Sequence, residues 1–485
     1  MTHKGSDTLI LTFQDFLEEQ NNIQGFISKA INQHTSSEDY KIALEADDYD
    51  KQKNTTIYNY VRTIFTGTGS QVVDFTAANN RIASNFFHRL NTQRCMYSLG
   101  NGVSFSDHKE KVLVDGVEQT IDRTKELLGA DFDTALKDGA YKALKHGVSF
   151  GFWNFDTLYI FPLTEFVPLW DEDTGALRAG IRFWQLDKDK PMTAILYEED
   201  GYTKFRGGRH GGSLNFEVVQ EKRAYKTNFR YTEADGLEVV GGENYGSLPI
   251  VPLWGSNLHQ STLVGMQRAI DSYDLIRSGF ANDLTDCAQI YWILSNCAGM
   301  TPAELAQFRD RLKIDHIAVA DTENSAITPY TQEIPFQARQ TYLDAIKAGI
   351  YEDFGALDVH TIAAGATNDH IDAAYQPLDE NADDFEYQII QFVQQILTLM
   401  GIEDTPVFKR NRISNQMEQV QIVSMEAQWL DDETILQKLP NISVDEITSI
   451  LQRKGLENQN RFSVDMSEME EEQEQEEEQE EENTI

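Results

Sequence analysis

The sequence predicts an α+β protein built from more than one folding unit, and three observations predict it. Apolar residues recur every three to four positions through most of the stretch from Thr8 to Lys145. From Val148 to about Pro252 they alternate at period two, with turn residues between the runs. After Leu258 two long helical patterns enclose a short α/β stretch. With 485 residues, 40% of them hydrophobic and 25% charged, the chain is globular in composition. At a prior of about 150 residues per domain it has length for two to four units.

In order along the chain, Leu11, Phe13, Phe16, Leu17, Ile23, Phe26, Ile27 and Ala30 predict one helix from about Thr8 to Asn32. A second is expected from Ser37 to about Asp48. A third carries Ile82, Phe86, Leu90, Arg94 and Tyr97 and stops at Leu99-Gly100-Asn101-Gly102. A fourth, near Asp133 to Lys145, ends at His146-Gly147. The strands that follow turn at Asp173-Thr174-Gly175 and Glu199-Asp200-Gly201. Arg206 to Gly212 is read as a glycine-rich loop at a longer hairpin tip. Beyond Leu258, the residues Leu263, Met266, Ile270, Tyr273, Phe280, Leu284 and Cys287, with Arg277 among them, form a long stripe. Gln289–Ser295 and His316–Thr322 read as strands. Between them Thr301-Pro-Ala-Glu304 is a capping box that opens a helix. A second long helix is expected over 335–354, a loop of weak periodicity over 355–372, and a strong helix from Asn381 to Met400 ended by Gly401. Val407–Ser414 is a short basic strand or loop. Three helices, at about 415–428, 431–439 and 443–454, precede a glutamate-rich tail whose composition predicts disorder.

The three cysteines, Cys95, Cys287 and Cys297, encode neither a disulfide framework nor a zinc site. The N-terminus does not read as a signal peptide, and the apolar run Ala288–Met300 is too short to span a bilayer, so no membrane partner is expected. Net charge is −38, and the eleven glutamates between Ser467 and Glu482 leave −27 on the rest. That sign excludes a protein that grips nucleic acid through many phosphate contacts, but not one that surrounds DNA without holding it.

No catalytic, cofactor or metal site is expected. Thr66-Gly67-Thr68-Gly69-Ser70 lacks the lysine and hydroxyl that would reach phosphates and magnesium, and reads as a turn between strands. No serine elbow or paired-histidine zinc motif occurs. Asp358, His360, Asp369, His370 and Asp372 read as solvated polar residues on a loop. The basic run Lys409-Arg410-Asn411-Arg412 reads as paired with acids of this chain rather than with DNA.

Several stretches together resemble one family. Leu90–Val103, Ala135–Asn154, the strand pair from Phe161 to Trp184, and Ile350–Phe385 resemble the corresponding parts of portal proteins from tailed bacteriophages, of the type found in siphophages of Gram-positive bacteria. The resemblance covers about Asn80 to Gly455. It implies the portal-protein fold: an α/β wing from 1–258 together with the long helix and strand at 373–412, a stem of helices 259–285 and 335–354, and a small α/β clip at 286–334. A tunnel loop at 355–372, a helical crown at 413–460 and the acidic tail at 461–485 complete it. It also implies a ring, usually of twelve subunits, at one capsid vertex in the virion, assembled in the host cytoplasm. The ring is the channel through which double-stranded DNA is packaged and ejected without sequence recognition. Implied partners are the terminase motor, then head-completion or adaptor proteins, and the major capsid and scaffolding proteins.

Residues expected to serve these roles are, in the tunnel loop, Asp358, His360, Thr361, Thr367, Asn368, Asp369 and His370. On the second stem helix Arg339 and Lys347 are candidates to face the channel. In the clip, Arg309, Lys313, Asp315, Asp321 and Glu323 are candidates to dock partners. The tunnel loop contains no lysine or arginine, so passing phosphates would meet little to hold them. Other readings kept open by the sequence are a head–tail connector or adaptor ring, a nucleic-acid-processing enzyme and a cellular scaffold.

Overall fold

The computed structural model describes residues 11–453 except 66–68, 76, 115–116, 188, 211–212, 233–235, 288–290, 296–300, 302, 305–306, 308–325, 331–335, 363–366, 413–415, 428, 440–449 and 452. The described residues fall into two compact units, one within 1–356 and 377–411, the other within 357–376 and 412–485.

The N-terminal helical pattern is two helices, not one. Helix α1 (Phe13–Glu18) opens at Thr12, whose side chain accepts from the Asp15 N–H while the Asp15 carboxylate accepts from the Thr12 N–H at 2.9 Å. Asn22 then caps α2 (Ile23–Ser36) by accepting from the Gly25 N–H. Two N-caps inside one apolar pattern split it. The pattern survives because Phe16, Phe26, Ile27 and Ala30 pack against the same sheet. Helix α3 (Glu38–Asp50), capped by Ser37, and the single turn α4 (Thr55–Tyr58) follow. Strands β1 (Thr63–Phe65) and β2 (Gln71–Val73) form a hairpin around the expected turn. Helix α5 (Phe86–Leu99) ends at Gly100, as its sequence signals.

After β3 (Val103–Phe105) comes a hairpin the sequence reading did not separate from its surroundings, β4 (Lys109–Val114) with β5 (Val117–Asp122). Helix α6 (Arg123–Leu128) leads to α7 (Phe132–His146), which stops where Gly147 takes φ +92°.

The central strands are β6 (Val148–Asn154), β7 (Thr157–Pro162), β8 (Phe166–Trp170), β9 (Leu177–Trp184), β10 (Met192–Glu198), β11 (Gly201–His210), β12 (Ser213–Arg223), β13 (Lys226–Thr232), β14 (Gly236–Glu243) and β15 (Ile250–Trp254). They form an antiparallel meander in the order β12-β11-β10-β9-β8 and a smaller sheet β15-β6-β7; β13 and β14 pair as a separate hairpin. Both predicted turns are where strands reverse. Arg206 to His210, expected in a loop, instead end β11: a Cβ at Gly207 would collide with the Asn215 carbonyl oxygen of the paired strand, so glycine serves close approach there. Phe150, Phe161, Phe166, Tyr197 and Tyr225 bury an aromatic seam with residues of both sheets.

Helix α8 (Leu263–Cys287) is followed by β16 (Tyr291–Ser295), which pairs antiparallel with β17 (Ala326–Tyr330), and by α9 (Phe336–Phe354). The strand expected at His316–Thr322 lies outside the described residues. Helix α10 (Asn368–Met400) begins well before Asn381, the expected start, and carries Pro377 inside it. A proline lacks the donor for an i−4 bond and usually ends a helical pattern. Here the helix continues through it, and Asn381 Nδ2 donates to the Pro377 carbonyl at 3.1 Å. Phe385, Ile389, Phe392 and Ile396 of α10 pack into one core with Leu136 and Ala140 of α7 and with Trp153 and Leu253 of the smaller sheet. Strand β18 (Pro406–Phe408) pairs with β3. In the second unit, α11 (Gln416–Glu426) and α12 (Asp432–Lys438) match two of the three expected helices. Most of the third, and the acidic tail, lie outside the described residues.

Candidate channel elements and their supports

Helices α8 and α9 pack antiparallel. Leu263, Met266 and Ile270 share a core with Ile350, Tyr351 and Phe354, while at the other end the Phe280 and Phe336 rings lie 5.3 Å apart. The i, i+4 row that continues from Ile270 along α8 is polar and buried: Asp274, Ser278 and Asn282 are 0%, 1% and 3% exposed. They accept, in turn, from the backbone N–H groups of Ser84 at 2.9 Å, Ile82 at 2.9 Å and Asn80. The match is geometric. Two residues of extended chain advance about 6.6 Å and four residues of helix about 6 Å, so every second N–H meets every fourth side chain. Asp274 also accepts from Asn54 Nδ2, and Asp271 accepts from the hydroxyls of Tyr49 and Thr56. Burial pushes the Asp274 carboxyl up, against the pull of the bonds from Asn54 and Ser84.

Both predicted stem cations are engaged within the chain. Arg339 forms an ion pair with Asp283 and lies 5.9 Å from the Phe280 ring centre. Lys347 Nζ lies 5.7 Å above the Tyr351 ring. In the stretch expected to be the clip the capping box forms, with the Thr301 N–H donating to Glu304 Oε2 at 2.7 Å. The proposed docking residues Arg309, Lys313, Asp315, Asp321 and Glu323 lie outside the described residues.

The end of α9 is clamped. Buried Arg94 donates to the Phe354 carbonyl at 2.7 Å and stacks 4.3 Å over the Phe354 ring. A guanidinium at a helix C-terminus satisfies an orphan carbonyl and complements the dipole. Asn381 Nδ2 donates to the same oxygen at 3.3 Å. Gly355 leaves the helix with φ +59°, where a Cβ would also collide with Asn381.

In the second unit, Asp358 caps the 3-10 turn Val359–Thr361 by accepting from the His360 N–H at 3.2 Å. Thr361 falls in that turn. The Thr367 carbonyl accepts from the Ile371 N–H at 3.0 Å, and its hydroxyl lies 2.8 Å from His370 Nδ1. Asn368, Asp369 and His370, expected in a loop, form the first turn of α10, with Thr367, Asp369 and His370 exposed. Asp372 is paired with Arg412 at 3.2 Å, and Arg412 lies 5.6 Å over the Tyr375 ring. A segment with no cation of its own therefore receives one from forty residues further along the chain. Among the described residues no group of three or more His, Cys, Asp or Glu side chains could hold a metal ion.

The other arginine of the basic run, Arg410 in the first unit, engages Asp379 at 3.0 Å, Glu386 at 2.8 Å and Asp383. The hydrogen bonds to Glu386 hold its guanidinium well above the usual arginine range. The polar stripe of α8 is the main feature sequence reasoning missed. Its signal was the spacing of Asp274, Ser278 and Asn282, hidden behind the apolar stripe of the same helix.

Among the described residues no helix is long and apolar enough to cross a membrane. A family model described as phage portal protein, SPP1 Gp6-like, matches residues 28–484. The portal protein of Bacillus phage SPP1 is 26% identical over 393 residues, which is 74% of this chain and 72% of that protein. The portal protein of Clostridium phage phiCD119 is 23% identical over 388 residues, 75% of this chain and 82% of that protein. The mixed helix-and-strand order is consistent with the α+β fold of phage portal proteins. The chain belongs to the SPP1 Gp6-like family of phage portal proteins.

Proposed function

We propose that copies of this chain close into a ring of twelve at one capsid vertex, and that the ring is the channel for double-stranded DNA during packaging and ejection. The observation that carries this is membership of the portal family over nearly the whole chain. The α8–α9 pair is the stem, the β16–β17 pair belongs to the clip, the segment around 355–372 forms the tunnel loop, and the helices from α11 onward form the crown. The clip receives the terminase motor and later the head-completion proteins; the outer parts meet major capsid and scaffolding proteins. The role is structural, with ATP hydrolysis left to the motor. Without lysine or arginine in the tunnel segment, DNA slides past without the counterion-releasing contacts that would hold it.

The test is negative-stain electron microscopy of the purified full chain, with mass measurement. Annular particles with a central hole, at a multiple of 55.2 kDa, are expected. A chain that stays monomeric under all assembly conditions, or that is missing from mature virus particles, overturns the proposal.

A further inference from the structure

We infer that the β1–β2 hairpin is a clasp that packs on a second copy of this chain; the inference rests on the ring proposed above. Its root and its tip differ sharply. The chain leading in and out is tied to α8, by Thr56 to Asp271 and by Asn80 and Ile82 to Asn282 and Ser278. The tip is bare. Ile64 pairs across from Val72 on one face, and Phe65 and Val73 occupy the other. All four are exposed, with Phe65 at 76% and the following Phe75 at 92%. Soluble proteins scatter single apolar residues over their surface but rarely gather them like this. A two-stranded hairpin with apolar residues this exposed on both faces is marginally stable at best by itself. A firmly rooted, doubly apolar hairpin is therefore a half-built contact.

Charge and symmetry point to another copy as the occupant. Tyr58 to Arg81 contains one acid, Asp74, against Arg62 and Arg81, in a chain of net charge −38. In a chain of that net charge, a stretch this poor in acids is one that a second copy can approach with little repulsion. A ring interface is heterologous, so the clasp must meet a different surface of the next copy. Rotation about one axis preserves height, which places that surface at the level of the hairpin root, near the Phe280–Phe336 end of the stem. There Leu284, Phe336 and Tyr342 are each about half exposed. Beside them runs a cleft of about 640 Å³ floored by Ile276 and Gly279 and walled by Tyr60 and Tyr342. We assign this patch as the seat of the neighbour's hairpin.

The experiment uses the full chain as an equal mixture of ¹⁴N and ¹⁵N forms, with p-benzoylphenylalanine at position 65, photolysed after assembly. Cross-linked peptides of mixed isotope, joining position 65 to 276–287 or 336–342, are expected. Cross-links confined to one isotope, or reaching a different region, overturn the inference. Independently, the combined Ile64→Ser, Phe65→Ser and Val72→Ser variant should raise the concentration needed for rings about tenfold or more while keeping its circular dichroism. Rings that assemble as before overturn the inference and leave the channel proposal standing. If the unsubstituted chain forms no rings, both fail.

Discussion

The backbone N–H of Ser84 donates to the carboxylate of Asp274 across 2.9 Å, in the middle of α8, where Asp274 is fully buried. Asp274→Ala leaves that N–H without its acceptor and takes one of two from the Asn54 amide, which keeps the Ser84 carbonyl at 3.1 Å. At about 1–3 kcal/mol for a buried group left unpaired, the loss should be about 1–3 kcal/mol in urea unfolding of the unassembled chain. Asp274→Asn keeps one acceptor and should cost less. It should also change the pH response. Because burial raises the Asp274 carboxyl, the folded state keeps a proton that the unfolded state has lost, so this group's contribution declines as pH rises through its raised value. The asparagine variant should lack that decline.

Arg410→Met should destabilise the first unit by about 3 kcal/mol, since it abandons Asp379, Asp383 and Glu386 to one another. Lysine should recover only part of the loss, because the two bonds to Glu386 use the planar fork of the guanidinium. Thermal unfolding of the three proteins side by side checks both statements.

Acid should weaken the joint between α3 and α7. Burial pushes Asp47 up, but hydrogen bonds from His146 and Lys145 outweigh it and hold the carboxyl well below the usual range. Burial dominates at His146 and pushes it below the usual histidine range. In both cases the unfolded chain takes up protons before the folded one, so stability falls as pH drops, first below about 6.5 and again below about 4. His146→Gln should flatten the first step and Asp47→Asn the second, as read from denaturant midpoints between pH 8 and 3.

Lysine at Thr367 or Asn368 would give the tunnel segment the phosphate contact it lacks. Phage carrying either substitution should package more slowly or stop short, measured as packaged genome length by pulsed-field electrophoresis. Full-length genomes at the normal rate would count against a low-adhesion channel.

Much of this fold was legible because local signals agreed with the tertiary result. Gly100 and Gly147 end their helices, the capping box at Thr301 forms, and both predicted reversals between strands occur. The failures have physical causes. Thr12 and Asn22 act as caps inside an unbroken apolar rhythm. The helix expected to start at Asn381 runs from Asn368 for thirty-three residues and carries Pro377 within it. Gly207 looks like loop composition but answers a close strand approach. At the candidate channel, the sequence could show that 355–372 holds no cation. It could not show that Arg412 reaches back to Asp372, since nothing local encodes a partner forty residues away.

The bonds between α8 and the extended segment before α5 join positions 190 to 202 residues apart. On a ribosome adding about 5–20 residues per second, the donors of Asn80, Ile82 and Ser84 emerge roughly ten to forty seconds before their acceptors. Through that interval the nascent N-terminal third cannot complete its own packing, and the apolar stretch beside it waits uncovered. Synthesis of α8 is thus the event that lets the earlier part of the polypeptide settle.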